Sequence, residues 1–246
     1  MMAPEKIAAT SYLNTIPFIY GIENAYNKRS ELLLSSPRLC AEAYIAKNAD
    51  IALVPVGVIP SLNDAKIITP YCLGASSAVR SVVLVGDKPL SEIKSICLDT
   101  DSLTSVKLLK IICRELWKIS PEFTSDKLSD ASLLIGDKVF ENEGRYKYSY
   151  DLSLAWFELT GLPFVFALWV AREGVEQKSV AQLSDALKYG LENIDKSISY
   201  YNHQDKSYAY EYLTQNIDYI FDNDKRTALR LFWEKSKEVD PPSLPG

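Results

Sequence analysis

Three short polar stretches, each set against an apolar run, hold most of the side chains in this sequence that could act on a small molecule. Ser11-Tyr12-Leu13-Asn14 brings a hydroxyl and an amide, and Arg80-Ser81 brings a guanidinium and a hydroxyl. Asp99-Thr100-Asp101-Ser102-Leu103-Thr104-Ser105 precedes an apolar-periodic run through Val106, Leu109, Ile112 and Leu116. Such a stretch at the start of a helix suits an anion, because the first main-chain N–H groups are free and Ser102, Thr104 and Ser105 add hydroxyl donors. Each stretch also has a plainer duty. Ser11 or Asn14 either caps a helix or meets a ligand. Arg80 is either one half of a surface ion pair or a bidentate carboxylate clamp. For the third stretch the plainer duty is again capping, with Asp101 or Ser102 as the cap.

The missing chemistry narrows the field. His203 is the only histidine, in the polar stretch Tyr201–Asp205 that reads as a helix–helix connection, which argues against a histidine triad or a multi-histidine metal site. Cys40, Cys72, Cys97 and Cys113 are far apart, form no C-x-x-C pair and read as reduced core thiols. Neither a Walker pattern nor G-x-G-x-x-G is present. The candidate acids Asp99, Asp137 and Asp151 stand at strand ends or helix starts, where capping is the commoner role, and Glu42 reads as an exposed helix residue.

A net charge of -5 without any Lys/Arg run disfavours nucleic acid, while 47% hydrophobic and 24% charged residues are ordinary for a globular protein. Met1 to Thr10 lacks the apolar core of a signal peptide, and no 18-residue apolar span occurs. A cytoplasmic protein without a membrane partner is the expectation.

The elements that must position the polar stretches follow from periodicity. Strands are predicted at 6–9, 31–35 and 50–55, the last a continuous apolar run of the kind buried on both faces of a parallel sheet. Helices fall between them, one with Pro17 in its first turn and one over 37–47 with Leu39, Ala43 and Ala46 inward. This β-α-β-α-β order implies right-handed crossovers and a doubly wound sheet. Strands at 95–98 and 131–135 and a helix from Leu152 to Leu159, capped by Asp151 and stopped by Gly161 and Pro163, repeat the theme. From Ser179 the pattern is helical, ending in the loose 241–245 tail. Strands at 79–85 and 164–171 connect the units. The expected fold is an α/β, two-lobed clamshell with a discontinuous first lobe, 1–80 plus 172–246, and an inserted second lobe, 81–171. Its ligand cleft would face the carboxyl ends of both sheets.

Read in order, these segments resemble the chorismate dehydratases of the futalosine route to menaquinone. The resemblance rests on Ser11-Tyr12-Leu13-Asn14 with Pro17, Asp50 to Pro55, Val79-Arg80-Ser81-Val82, and Leu98-Asp99 with Ser102, Thr104 and Ser105. It continues through Leu134-Ile135-Gly136-Asp137, Asp151-Leu152, Trp156 and Thr160 to Ala167. It covers 6–172, about two-thirds of the chain. Two departures stand out: Ser153 in place of a glycine, and Lys138-Val139-Phe140 in place of a small residue and leucine.

The resemblance implies a periplasmic-binding-protein-like fold of type 2 used as an enzyme. It implies chorismate as substrate, 3-[(1-carboxyvinyl)oxy]benzoate and water as products, and no metal or organic cofactor. It assigns Asn14 and Ser81 to the reacting part of the substrate, and Ser11, Arg80, Ser102, Thr104 and Ser105 to carboxylate binding. The proton is then taken by the substrate's own enolpyruvyl carboxylate or by Asp151. Rival readings are the sibling 1,4-dihydroxy-6-naphthoate synthase, expected to use a histidine, and a non-catalytic solute-binding protein or sensor for small carboxylates.

Overall fold

A computed structural model describes residues 5–26, 30–203 and 205–239. The 241–245 tail lies outside them. By packing, the chain falls into one unit of Met1–Gly74 with Phe166–Phe221 and another of Ala75–Val165 with Asp222–Gly246.

The first unit begins with β1 (Glu5–Thr10), α1 (Ile16–Ala25), β2 (Ser30–Ser35), α2 (Pro37–Ile45) and β3 (Ile51–Pro55), as the periodicity predicts. Its next strand, β4 (Lys66–Ala75), was hidden in the sequence because Pro70 and Gly74 interrupt its pattern. The second unit continues with β5 (Val82–Gly86), β6 (Ser95–Cys97), α3 (Leu103–Ile112), β7 (Glu122–Thr124), β8 (Ala131–Ile135), α4 (Asp137–Glu141), β9 (Tyr148–Asp151) and α5 (Leu152–Thr160). Strand β10 (Phe164–Ala171) returns the chain to the first unit for α6 (Gln177–Leu191), α7 (Ile194–Tyr200), α8 (Lys206–Glu211) and β11 (Asp218–Ile220). Helix α9 (Asn223–Ser236) then packs in the second unit, not with the helices before it: Phe232 meets Phe164 edge-on at 5.1 Å between ring centroids and Trp156 at 6.2 Å.

The first sheet has the order β11-β4-β10-β3-β1-β2. Strands β2, β1 and β3 are parallel, as two helical crossovers require, but β10 joins β3 antiparallel and β11 joins β4 antiparallel. The sheet is therefore mixed, where the sequence order alone implied a parallel one. The second sheet, β7-β6-β8-β5-β9, is mixed too, with β5 antiparallel to both neighbours. Strand β3 is buried along its whole length.

Two further details differ from the periodic reading. Residues 76–81 are not strand; β5 starts only at Val82. Helix α2 buries Cys40, Ala41, Ala43 and Tyr44, whereas Leu39 is 49% exposed. The Tyr44 ring lies under the Arg172 guanidinium at 4.3 Å, which turns that side of the helix inward. Helices α1 and α6 cross at Gly21 and Gly190, where a Cβ would stand 2.0 Å from the Ala186 carbonyl oxygen and 1.8 Å from that of Pro17. Among the described residues no helix is long and apolar enough to cross a membrane.

Candidate functional site

In the first unit, β1 delivers Thr10 and the chain turns through Ser11 and Tyr12 into a 3-10 turn, Leu13–Thr15, that runs on into α1. Neither Ser11 nor Asn14 caps that helix; the N-cap residue is Thr15, and it makes no side-chain capping bond. The Asn14 side chain instead accepts a hydrogen bond at Oδ1 from the Thr15 hydroxyl, at 3.0 Å. The Thr15 hydroxyl also lies 2.5 Å from that of Thr10, and both threonines are buried. Below them the buried Tyr219 phenol donates to the Asn14 main-chain carbonyl at 3.0 Å. Burial pushes the Tyr219 pKa well above its ordinary value, so the group remains a donor. Ser11 is exposed, its N–H bonded to the Ser35 carbonyl. Asn14 is thus held at its side chain by its neighbour Thr15, backed by Thr10 of β1, and at its main chain by Tyr219 of β11, which no spacing in the sequence connects to it.

In the second unit, strand register collects the other candidates at one edge of the sheet. Val82 pairs with Ile135, Val83 with Asp151 and Cys97 with Ser132. The start of β5, the ends of β8 and β9 and the loop after β6 therefore share that edge. There the Ser81 carbonyl accepts the Gly136 N–H at 2.8 Å, and the Ser81 residue is buried. Ser102 caps α3, its hydroxyl accepting from the Ser105 N–H at 3.3 Å and from the Ser105 hydroxyl at 3.1 Å. Ser102, Thr104 and Ser105 are all buried.

Arg80 keeps a left-handed backbone, φ 64°, which costs about 1 kcal/mol for a residue with a Cβ. Its guanidinium is 3.8 Å from Glu143, at 34% side-chain exposure, so the ion-pair role is present. Asp151 caps α5 by accepting from the N–H groups of Ser153 and Leu154 at 2.9 and 3.0 Å, and its other oxygen accepts the Arg80 N–H at 2.6 Å. Burial raises the Asp151 pKa, against the pull of the N–H groups of Leu154, Arg80, Val79 and Ser153. A carboxylate so occupied by main-chain donors suits holding the 79–81 loop.

Both departures from the dehydratase pattern fall at this edge. Lys138 reaches Asp99 and Asp101 at 2.8 Å each. Burial alone would lower the Lys138 pKa, but the hydrogen bonds its ammonium donates to Asp101 and Asp99 reverse this and leave it raised. This bridge ties the loop before α3 to the first turn of α4, and sequence spacing gave no hint of it. Ser153 is buried and its hydroxyl has no hydrogen-bond partner among the described residues.

Elsewhere, His203 lies between α7 and α8 with Nδ1 2.9 Å from the Asp205 carbonyl oxygen. All four cysteines are free; burial pushes the thiols of Cys40 and Cys113 up to about 12, so both are protonated at neutral pH.

Two discontinuous α/β units, each with a mixed sheet, define the class: the fold is that of the periplasmic-binding proteins. An Archaeoglobus fulgidus protein of known structure matches with a TM-score of 0.76 at 16% identity, over 95% of this chain and 96% of that one. The periplasmic aliphatic sulphonate binding protein of Escherichia coli matches at 0.60 and 13%, over 98% and 95%. A Candida albicans protein described as exhibiting the generic periplasmic binding protein fold matches at 0.59 and 11%, over 98% and 92%. Within that class the chain belongs to the menaquinone biosynthesis family, whose model matches residues 6–238. It is 31% identical over 148 residues to a chorismate dehydratase of Thermus thermophilus, 49% of this chain and 54% of that protein. The chain thus spans about half the length of that curated relative.

Proposed function

We propose that this protein is a lyase of menaquinone biosynthesis that dehydrates chorismate to 3-[(1-carboxyvinyl)oxy]benzoate. The observation that carries the reading is the family match combined with the 31% identity to a chorismate dehydratase. The two polar sets suit that chemistry. Loss of the C3 proton and the C4 hydroxyl makes the ring aromatic, so the reaction has its own driving force. The protein's part is to hold a dianion in a reactive conformer, supply hydrogen bonds and exclude water.

Asn14 donates to the departing hydroxyl, and Ser81 binds a substrate hydroxyl or carboxylate. Ser11, Arg80, Ser102, Thr104 and Ser105 are the carboxylate-binding candidates. The substrate's enolpyruvyl carboxylate takes the C3 proton; with the expelled hydroxide this accounts for the water released. Asp151 fits this scheme as a holder of the Arg80–Ser81 loop, because its oxygens already accept main-chain N–H groups. The naphthoate-forming sibling gains no support, since no described hydrogen bond joins His203 to either polar set.

The fold, shared with periplasmic-binding proteins, is compatible with one other reading, a non-catalytic binder of small carboxylates. Incubating the purified protein with chorismate and following mass separates the two. Loss of one water supports the dehydratase; chorismate retained unchanged supports the binder. Asn14→Ala is expected to abolish most turnover, and normal turnover by that variant would remove Asn14 from the site.

A further inference from the structure

Asparagine has two faces, an oxygen that accepts and an NH2 that donates, and which one meets a ligand is set by the hydrogen bonds around it. Here the surroundings permit a proton count. A hydroxyl has one proton to give. Thr15 spends its proton on Asn14 Oδ1, so the 2.5 Å contact between Thr15 and Thr10 must be donated by Thr10. All three groups are then satisfied, and the Asn14 NH2 remains for a ligand.

Flipping the amide reverses the chain. The NH2 would donate to Thr15, Thr15 to Thr10, and the Thr10 proton would need an acceptor elsewhere. Thr10 is 2% exposed, and Thr15 is its only side-chain partner among the described residues. A buried donor left without an acceptor is disfavoured by a large fraction of the energy of a hydrogen bond, so one orientation dominates. Tyr219, bonded to the Asn14 carbonyl, fixes the main chain beneath the amide.

We propose that Thr15, backed by Thr10, is a positioning residue that locks the Asn14 amide with its NH2 toward the ligand, so that the ligand atom met there is a hydrogen-bond acceptor, a carboxylate or hydroxyl oxygen. The proposal rests on the dehydratase reading for the identity of that ligand and not for the orientation itself.

A double-mutant cycle tests it with chorismate as substrate, using wild type, Thr15→Val, Thr15→Ser, Asn14→Ala and the Asn14→Ala/Thr15→Val double variant. Thr15→Val keeps the shape and removes the hydroxyl; it should lower kcat on the order of tenfold to a hundredfold while KM moves less than about threefold. Thr15→Ser restores the hydroxyl and should recover kcat to within about threefold of wild type. In the Asn14→Ala background Thr15→Val should change kcat by less than about twofold, because there is no amide left to orient. Equal losses in both backgrounds, or wild-type kcat in Thr15→Val, would overturn the proposal.

A second readout needs no turnover. The Asn14 side-chain amide signals in the 1H–15N spectrum, assigned by their loss in Asn14→Ala, should move toward free-asparagine positions in Thr15→Val and stay in place in Thr15→Ser. Unmoved signals in Thr15→Val overturn the proposal. A wild-type protein that leaves chorismate unchanged overturns the dehydratase reading instead, and the spectra still decide the role of Thr15. Should Thr15→Val fail to fold, Thr10→Val removes the first donor in the chain and must move the same signals.

Discussion

Asp151 accepts the main-chain N–H of Arg80 at 2.6 Å, joining positions 71 residues apart in the sequence. The same carboxylate caps α5, so one side chain fixes a helix start and the strained loop that carries Ser81. Asp151→Ala should therefore destabilise the protein by about 1–3 kcal/mol in urea unfolding. Asp151→Asn should lose less than about tenfold in kcat if the substrate takes its own proton. A thousandfold loss with the fold intact would make Asp151 the base.

Ser153, in the same cap, has a buried hydroxyl without a partner among the described residues. Ser153→Ala removes a desolvated polar group at little cost in shape, and should raise stability by roughly 1 kcal/mol, seen as a higher Tm. A lower Tm would mean that the hydroxyl is bonded.

Lys138 is 45% exposed at its side chain, so removing its two ion pairs should change stability by less than about 1 kcal/mol. Its larger effect is expected on binding. Lys138→Met leaves Asp99 and Asp101 uncompensated beside the start of α3, and should raise KM for dianionic chorismate by about tenfold at low ionic strength, less as salt screens the carboxylates. A KM that ignores both the substitution and the salt would place the substrate carboxylates elsewhere.

Gly21 and Gly190 meet where α1 and α6 touch backbone to backbone. A methyl group at either position has no flexible neighbour to displace, so Gly21→Ala and Gly190→Ala should each cost about 3 kcal/mol or more, or prevent folding. Urea midpoints close to wild type would contradict the observed approach.

Asp130 accepts from Lys88 and from the N–H groups of Lys94 and Ser95, and these, Lys88 foremost, lower its pKa to about 2. The folded value lies below the unfolded one, so this contribution to stability is present above about pH 4 and is lost as pH falls toward about 2. Melts across that range should show Asp130→Asn less stable than wild type at about pH 5 and converging with it at about pH 2. A constant difference would deny the linkage.

Much of this was legible without coordinates. The Asp151 cap, the Gly161 stop, the Pro17 helix start and the all-buried Ile51–Pro55 strand follow from local rules, and α5, β3, β8 and β10 form where those rules put them. Strand β4 escaped because Pro70 and Gly74 break its alternation, and β11 because three residues carry almost no periodic signal. On α2, Ala43 is buried as its spacing predicts but Leu39 and Ala46 are exposed, because Tyr44 is drawn in by Arg172, a partner 128 residues away that periodicity does not see.

By itself, then, the sequence determined the residue types available for chemistry: hydroxyls, an amide and a cap carboxylate, with a single histidine in a remote stretch. It also determined the α/β alternation that carries them, since both depend on residue identity and on neighbours a few positions away. Only the tertiary structure decided what those residues face. The Thr10–Thr15–Asn14 chain is short in sequence, yet its outcome depends on burial and on Tyr219, 205 residues on. The Lys138 bridge, the Arg80–Asp151 bond and the shared edge of Ser81, Ser102 and Gly136 all arise from strand register. Register is fixed by how whole faces pack, a cooperative property of the sheet that no local pattern encodes.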